Sequence, residues 1–108
     1  MTPRKFVGTV LLARRNEVAL TQAEVGNILD VSTTTISMIE RGVLNIPFPR
    51  IHDYVQVYEL SEDCCAVFIK LLYPSEWHEI LVMMGHSGED WKSIDEKVDL
   101  VINEGNFR

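Results

Sequence analysis

The sequence predicts an all-α fold of seven helices. Apolar residues recur at three- and four-residue intervals along most of the chain. Capping residues, glycines and prolines interrupt that spacing at intervals suited to short helices. A length of 108 residues with 46% hydrophobic content suits one compact domain, or one domain with an appended oligomerisation segment, and makes a large multi-step enzyme untenable.

The first helix is expected over about 6–16, where Val7, Val10, Leu11 and Arg14 share a face, with Pro3 placed where a helix can start. Thr21-Gln22-Ala23-Glu24 reads as a capping box, so a second helix begins at Gln22 and carries the apolar stripe Val25, Ile28 and Leu29. Gly26 costs that helix about 1 kcal/mol of propensity relative to Ala, so a close packing contact is expected there. Asp30-Val31-Ser32 breaks the pattern. Ser32 can cap a third helix with Ile36, Ile39 and Met38 on its apolar side, ending at Gly42. Pro47 and Pro49 bracket a loop before a fourth stripe of Ile51, Tyr54, Val55 and Tyr58, which ends near Leu60. Ser61 is expected to cap a fifth helix carrying Cys65, Phe68, Ile69, Leu72 and Tyr73, closed by Pro74. Ser75 is expected to cap a sixth over 76–84, stopped by Gly85. A last helix over about 90–103 places Trp91, Ile94, Val98 and Val101 at heptad-like spacing.

The second and third helices are short and joined by about three residues, and the third presents small polar side chains at its N-terminal end. That geometry lets a helix enter a DNA major groove. The residues Thr21, Gln22, Val25, Gly26, Leu29, Val31, Ser32, Ile36, Ser37, Ile39, Glu40, Arg41 and Gly42, at their spacing over 21–42, resemble the lambda-Cro/repressor type of helix-turn-helix protein, the XRE family.

The resemblance implies a five-helix lambda-repressor-like DNA-binding bundle with helices near 6–16, 22–29, 33–41, 49–58 and 62–72, to which the chain's own apolar spacing adds two C-terminal helices. It implies double-stranded DNA as partner and a regulator that is most simply a dimeric repressor or autorepressor, in a phage-type or operon setting. Gln22 matches the glutamine that holds a backbone phosphate and braces the recognition helix. Thr33, Thr34 and Ser37 match positions that face base edges, with Ser32, Thr35 and Met38 beside them. Arg15 and Glu40 match a structural salt bridge between the first and third helices. Arg41 and Asn45 fall where the family makes further phosphate contacts, and Arg14 or Lys5 can join them. Threonine lacks the bidentate donor and acceptor sets that read guanine or adenine, although its methyl packs on a thymine methyl. Phosphate placement and DNA shape are therefore expected to contribute to recognition.

A bundle of this type is complete by about residue 73, which divides the chain into a DNA-binding domain over 1–73 and a helical extension over 74–108. The apolar side chains of the extension need burial. Trp77, Leu81, Met84, Trp91, Ile94, Val98 and Val101 are expected to form a homodimer interface, the arrangement by which two recognition helices read an inverted repeat. The other solution is that these stripes fold back on their own monomer.

Charge divides the chain in the same way. Residues 1–50 carry six basic and four acidic side chains, a balance of +2, whereas residues 51–108 carry four basic and twelve acidic ones, a balance of -8. The first half is eligible to meet phosphates and the second is expected to face away from the duplex. An acidic surface also admits an alternative in which the chain is an antitoxin or adaptor whose C-terminal helices bind a partner protein. No stretch reaches the 18 or so apolar residues of a membrane span, and the N-terminal segment lacks a signal-peptide core, so a cytoplasmic protein is expected. Cys64 and Cys65 are adjacent, which suits neither a long-range disulfide nor a metal site, and are expected to act as small hydrophobes. His52, His78 and His86 are scattered, so no metal or other cofactor is expected. Glu76, His78 and Glu79 come with no pocket signal, and no catalytic set is read anywhere in the chain.

Overall fold

The computed structural model describes residues 2–83 and 88–105, over 88–91 by the backbone alone. Among these residues there are seven α-helices and no strand. Helix α1 (Pro3–Glu17) begins three residues before the apolar spacing does. Thr2 Oγ1 accepts a bond from the Lys5 N–H at 3.2 Å, and Pro3 occupies the first turn, where a missing N–H costs nothing. At the start of α2 (Gln22–Leu29) both halves of the capping box form. The Glu24 N–H donates to Thr21 Oγ1 at 3.1 Å and the Thr21 N–H donates to Glu24 Oε1 at 3.0 Å.

The contact expected at Gly26 is with the next turn: an added Cβ would stand 2.7 Å from the Val31 carbonyl oxygen. The Val31 N–H donates to the Gly26 carbonyl at 2.9 Å, and Asp30 turns through a left-handed φ of 58°. The chain therefore doubles back at once into α3 (Thr33–Glu40), capped by Ser32 Oγ accepting from the Thr35 N–H at 3.0 Å.

The fourth element begins as a 3-10 turn (Phe48–Arg50), because Pro47 and Pro49 bring no N–H to an α-helical ladder, and becomes α4 at Ile51–Val57. Helix α5 (Asp63–Leu72) lacks the expected side-chain cap. Ser61 instead takes the Cys64 N–H on its carbonyl at 3.0 Å. The last two helices are α6 (Trp77–Met83) and α7 (Gly88–Glu104).

Helix α5 packs against α1, α4 and α7, which explains why its apolar face is wide enough to bury Cys64, Val67, Phe68, Ile69 and Leu72 together. Burial pushes the thiols of Cys64 and Cys65 up, as suits groups that pack rather than react. One hydrophobic cluster runs from Val7 through to Val98.

That continuity corrects the seam assigned to a dimer. Trp77, Leu81 and Val98 are 3%, 1% and 4% exposed, buried within this chain, and Ile94 and Val101 are half-buried against the same cluster. Met84 and the Trp91 side chain lie outside the described residues. Polar contacts hold α7 in place as well. Trp77 Nε1 donates to Asp95 Oδ1 at 2.5 Å, and Lys70 Nζ lies 3.2 Å from Asp95 Oδ1 and 2.9 Å from Asp99 Oδ1. Burial raises the Asp95 carboxyl, but the bonds from Trp77 and Lys70 outweigh it and hold the group below its ordinary range.

Deleting residues 74–108 returns the covered face of α5 to water and is expected to lower the melting temperature by about 10 °C, equivalent to roughly 2 kcal/mol, measured by circular dichroism. An unchanged midpoint would mean that α6 and α7 add nothing to the bundle. No described helix is long and apolar enough to cross a membrane.

Candidate nucleic-acid interface

Three residues separate α2 from α3, and the N-terminal turn of α3 carries the exposed side chains of Thr33 and Thr34. Ser37 and Met38, one turn further along, are half-buried. Thr35 is occupied locally, since its hydroxyl lies 2.9 Å from Ser32 Oγ and its N–H donates to the same atom. Ser32 and Thr35 therefore bond to each other at the cap, and Thr33 and Thr34 stand exposed beside them.

The other end of α3 is held by its last residue. Glu40 is 4% exposed, and its carboxylate accepts from donors on three other elements. Arg15 of α1 donates through Nε at 2.8 and 3.1 Å and through Nη2 at 3.0 Å. Gln22 of α2 donates through Nε2 at 3.1 Å, and Tyr58, which ends α4, donates through Oη at 2.8 Å. Arg15 Nη1 also donates to the Leu20 carbonyl at 3.0 Å, so both partners of the ion pair are anchored. A buried charge pair is tolerable when its remaining lone pairs and protons are satisfied, and here they are.

The bond to Glu40 raises the Arg15 pKa against the opposing effect of burial. Burial, then the bond to Glu40, raises that of Tyr58. The node joins α1, α2, α3 and the end of α4, so the helix that carries Thr33 and Thr34 is tied to three other elements.

Tyr58 was legible in the sequence only as one member of an apolar stripe, with nothing to show that its hydroxyl meets a carboxylate 18 residues away. Gln22 points into this node, so its bracing role has a visible partner. Arg14, expected to join the phosphate contacts, is engaged within the bundle. Its guanidinium donates to the Glu59 carbonyl at 3.2 Å (Nε) and 2.9 Å (Nη2) and reaches Glu17 at 3.5 Å, tying α1 to the chain where it leaves α4. Asn45 is half-buried beside a shallow cleft of about 290 Å³, and its Oδ1 is buried without a hydrogen-bond partner among the described residues. Arg41 is exposed at the end of α3, with Lys5 Nζ donating to its carbonyl at 3.4 Å.

This arrangement can present a short helix end-on to a groove with two threonines foremost. The open N–H groups and the dipole of that end favour an anionic surface. Residues 11–63, from the middle of α1 to the start of α5, match the model of a family described as helix-turn-helix. No curated protein and no solved structure matched the chain.

Proposed function

Residues 11–63 belong to the XRE-type helix-turn-helix family of DNA-binding regulators, and from that premise we propose that the chain is a sequence-specific repressor that reads an inverted repeat as a homodimer. The observation that carries this is the pairing of an exposed Thr33-Thr34 edge with the buried Glu40 node at the other end of the same helix. A reading edge discriminates between base pairs only when its position relative to the duplex is rigid, and the node supplies that rigidity. Two copies place α3 in successive major grooves about 34 Å apart. With Trp77, Leu81 and Val98 inside the monomer, the exposed Val82, Met83 and Leu100 supply the apolar part of the self-contact.

The test is selection of binding sites from a random duplex pool, with the complexes sized. Recovery of an inverted repeat bound by two chains is the expected result. Recovery of no motif, with weak and steeply salt-dependent binding, would overturn the reading and favour a partner-binding adaptor. On a recovered site, Thr34→Ala is expected to change preference at one or two base pairs by about 1–3 kcal/mol. Gln22→Ala is expected to weaken binding to selected and random DNA alike. Equal losses on both kinds of DNA for the two variants would contradict this division of roles.

A further inference from the structure

The first turn of α1, the segment that leaves α3 and the end of α5 border the cleft of about 290 Å³. Pro3, Leu71, Leu72 and Pro74 give it apolar walls. Its polar lining is Thr2, Arg4 and Asn45. The Thr2 hydroxyl already accepts from the Lys5 N–H at 3.2 Å, which leaves Arg4 and Asn45 as the groups with unused bonding capacity.

Asn45 Oδ1 is buried and accepts nothing among the described residues. An acceptor left in that state has lost its water and gained no bond in return, so it marks a place where a donor fits. The hydroxyl of Tyr73 does not serve, because it donates to the neighbouring Ile46 carbonyl at 2.7 Å. No side-chain bond fixes the Asn45 carboxamide among the described residues, and it can turn toward a donor in the cleft. Arg4 is exposed, and its bond to the Val43 carbonyl, at 3.3 Å, is long. No carboxylate lies within ion-pair reach of it among the described residues.

A ligand matched to this lining carries a carboxylate for the Arg4 guanidinium, one N–H for Asn45 Oδ1 and an apolar group for Leu71 and Leu72. An amino acid has all three, but its free ammonium would stand beside the guanidinium as a like charge. Acylation of the nitrogen removes that charge and keeps one N–H. Ligand sites run from about 300 to 1,000 Å³, so a cleft of about 290 Å³ takes a molecule the size of one residue and not a length of polypeptide. We propose that this cleft binds a small N-acyl amino acid with an apolar side chain. The ligand touches the first turn of α1, the segment leaving α3 and Pro74, which leads into α6, so it reaches the joint between the bundle and its extension. The site goes beyond the DNA-binding reading, and its test needs no DNA.

The experiment titrates the full chain with N-acetyl-L-leucine and follows backbone amide, Asn45 carboxamide and leucine methyl signals by NMR. Saturable shifts at Asn45, Leu71 and Leu72 are expected, with a Kd of about 1 mM for a ligand this small. Two analogues each remove one contact. N-acetyl-L-leucinamide lacks the carboxylate, and 2-acetoxy-4-methylpentanoate has an ester oxygen where the N–H was. Each is expected to bind about tenfold more weakly, the factor for one lost bond to a charged or buried group. In R4Q the acid and its amide should bind alike, and in N45A the N–H compound and the ester should bind alike. These comparisons are made within one variant, so a general loss of folding does not imitate them, and melting temperatures check both variants.

Absence of saturable shifts up to about 10 mM, tenfold above the expected constant, would overturn the site and leave the DNA-binding reading standing. Preferences for the carboxylate and the N–H that persist in R4Q and N45A would overturn it too, by placing the ligand elsewhere. A leucine-ended tetrapeptide that binds more tightly than N-acetyl-L-leucine would overturn the assignment to a free small molecule in favour of a chain terminus.

Discussion

Replacing Glu40 by glutamine is expected to destabilise the protein by about 3–5 kcal/mol, the range for breaking a buried ion pair by removal of one charge. The carboxylate accepts from Arg15, Gln22 and Tyr58. The amide keeps the shape, but it offers one oxygen in place of two and turns an N–H₂ group toward donors. Arg15 is then a charge with a side chain 12% exposed and no counterion. Urea unfolding monitored by circular dichroism measures the loss, and a change under about 1 kcal/mol would show that the node is solvated and does not hold the helices.

DNA affinity should fall with stability, because α3 loses the bonds that fix it to α1, α2 and α4. Tyr58→Phe is expected to cost less, about 1–2 kcal/mol. It removes one bond to a charged group and leaves Glu40 its bonds from Arg15 and Gln22. The same hydroxyl ties stability to alkaline pH. Burial and the bond to Glu40 raise the Tyr58 pKa above its ordinary value of 10.0, so above pH 10 the unfolded chain releases a proton that the folded chain keeps. The contribution of this group is fully present below pH 10 and falls as pH rises beyond it.

Replacing Gly8 by alanine is expected to destabilise by about 2 kcal/mol and to reduce DNA binding on every sequence. Gly8 is buried in the middle of α1 at the crossing with α3, where an added Cβ would stand 2.5 Å from the Glu40 carbonyl oxygen and 2.7 Å from that of Ile39. Both obstacles are backbone, so no rotamer relieves them and the two helices must separate. Overpacking of this kind costs about 1–3 kcal/mol or more, against about 1 kcal/mol gained from the better helix propensity of Ala. The separation acts at the node itself, since Arg15 and Glu40 lie on the two helices being pushed apart. A melting temperature equal to or above that of wild type would mean that propensity wins and that the crossing has slack.

Much of the bundle was legible because its determinants are local. The capping box at Thr21 and the cap at Ser32 act within three residues, and they placed the starts of α2 and α3 where the structure has them. The helix-turn-helix spacing over 21–42 pointed to the family matched by residues 11–63. Boundaries moved where a second local device competed. Thr2 and Pro3 extend α1 toward the N-terminus, and Pro47 and Pro49 turn the first residues of the fourth element into a 3-10 turn.

What a stripe of apolar residues cannot specify is its partner. Trp77, Leu81 and Val98 are spaced for burial, and that spacing fits a second copy or this chain's own α5 equally well. Only the packed structure, in which Trp77 and Lys70 meet Asp95 and Val98 joins the same cluster as Val7, decided for the monomer. Charge behaved in the same way. A net +2 over residues 1–50 marked a half able to meet DNA, but the tertiary fold determined that Arg14, Arg15 and Arg50 face carboxylates and that Arg4, Lys5 and Arg41 remain exposed together. The physical reason is range. Capping and helical periodicity act across three or four residues of one segment, whereas the partner of a buried face or a charged group is chosen among segments brought together only by folding.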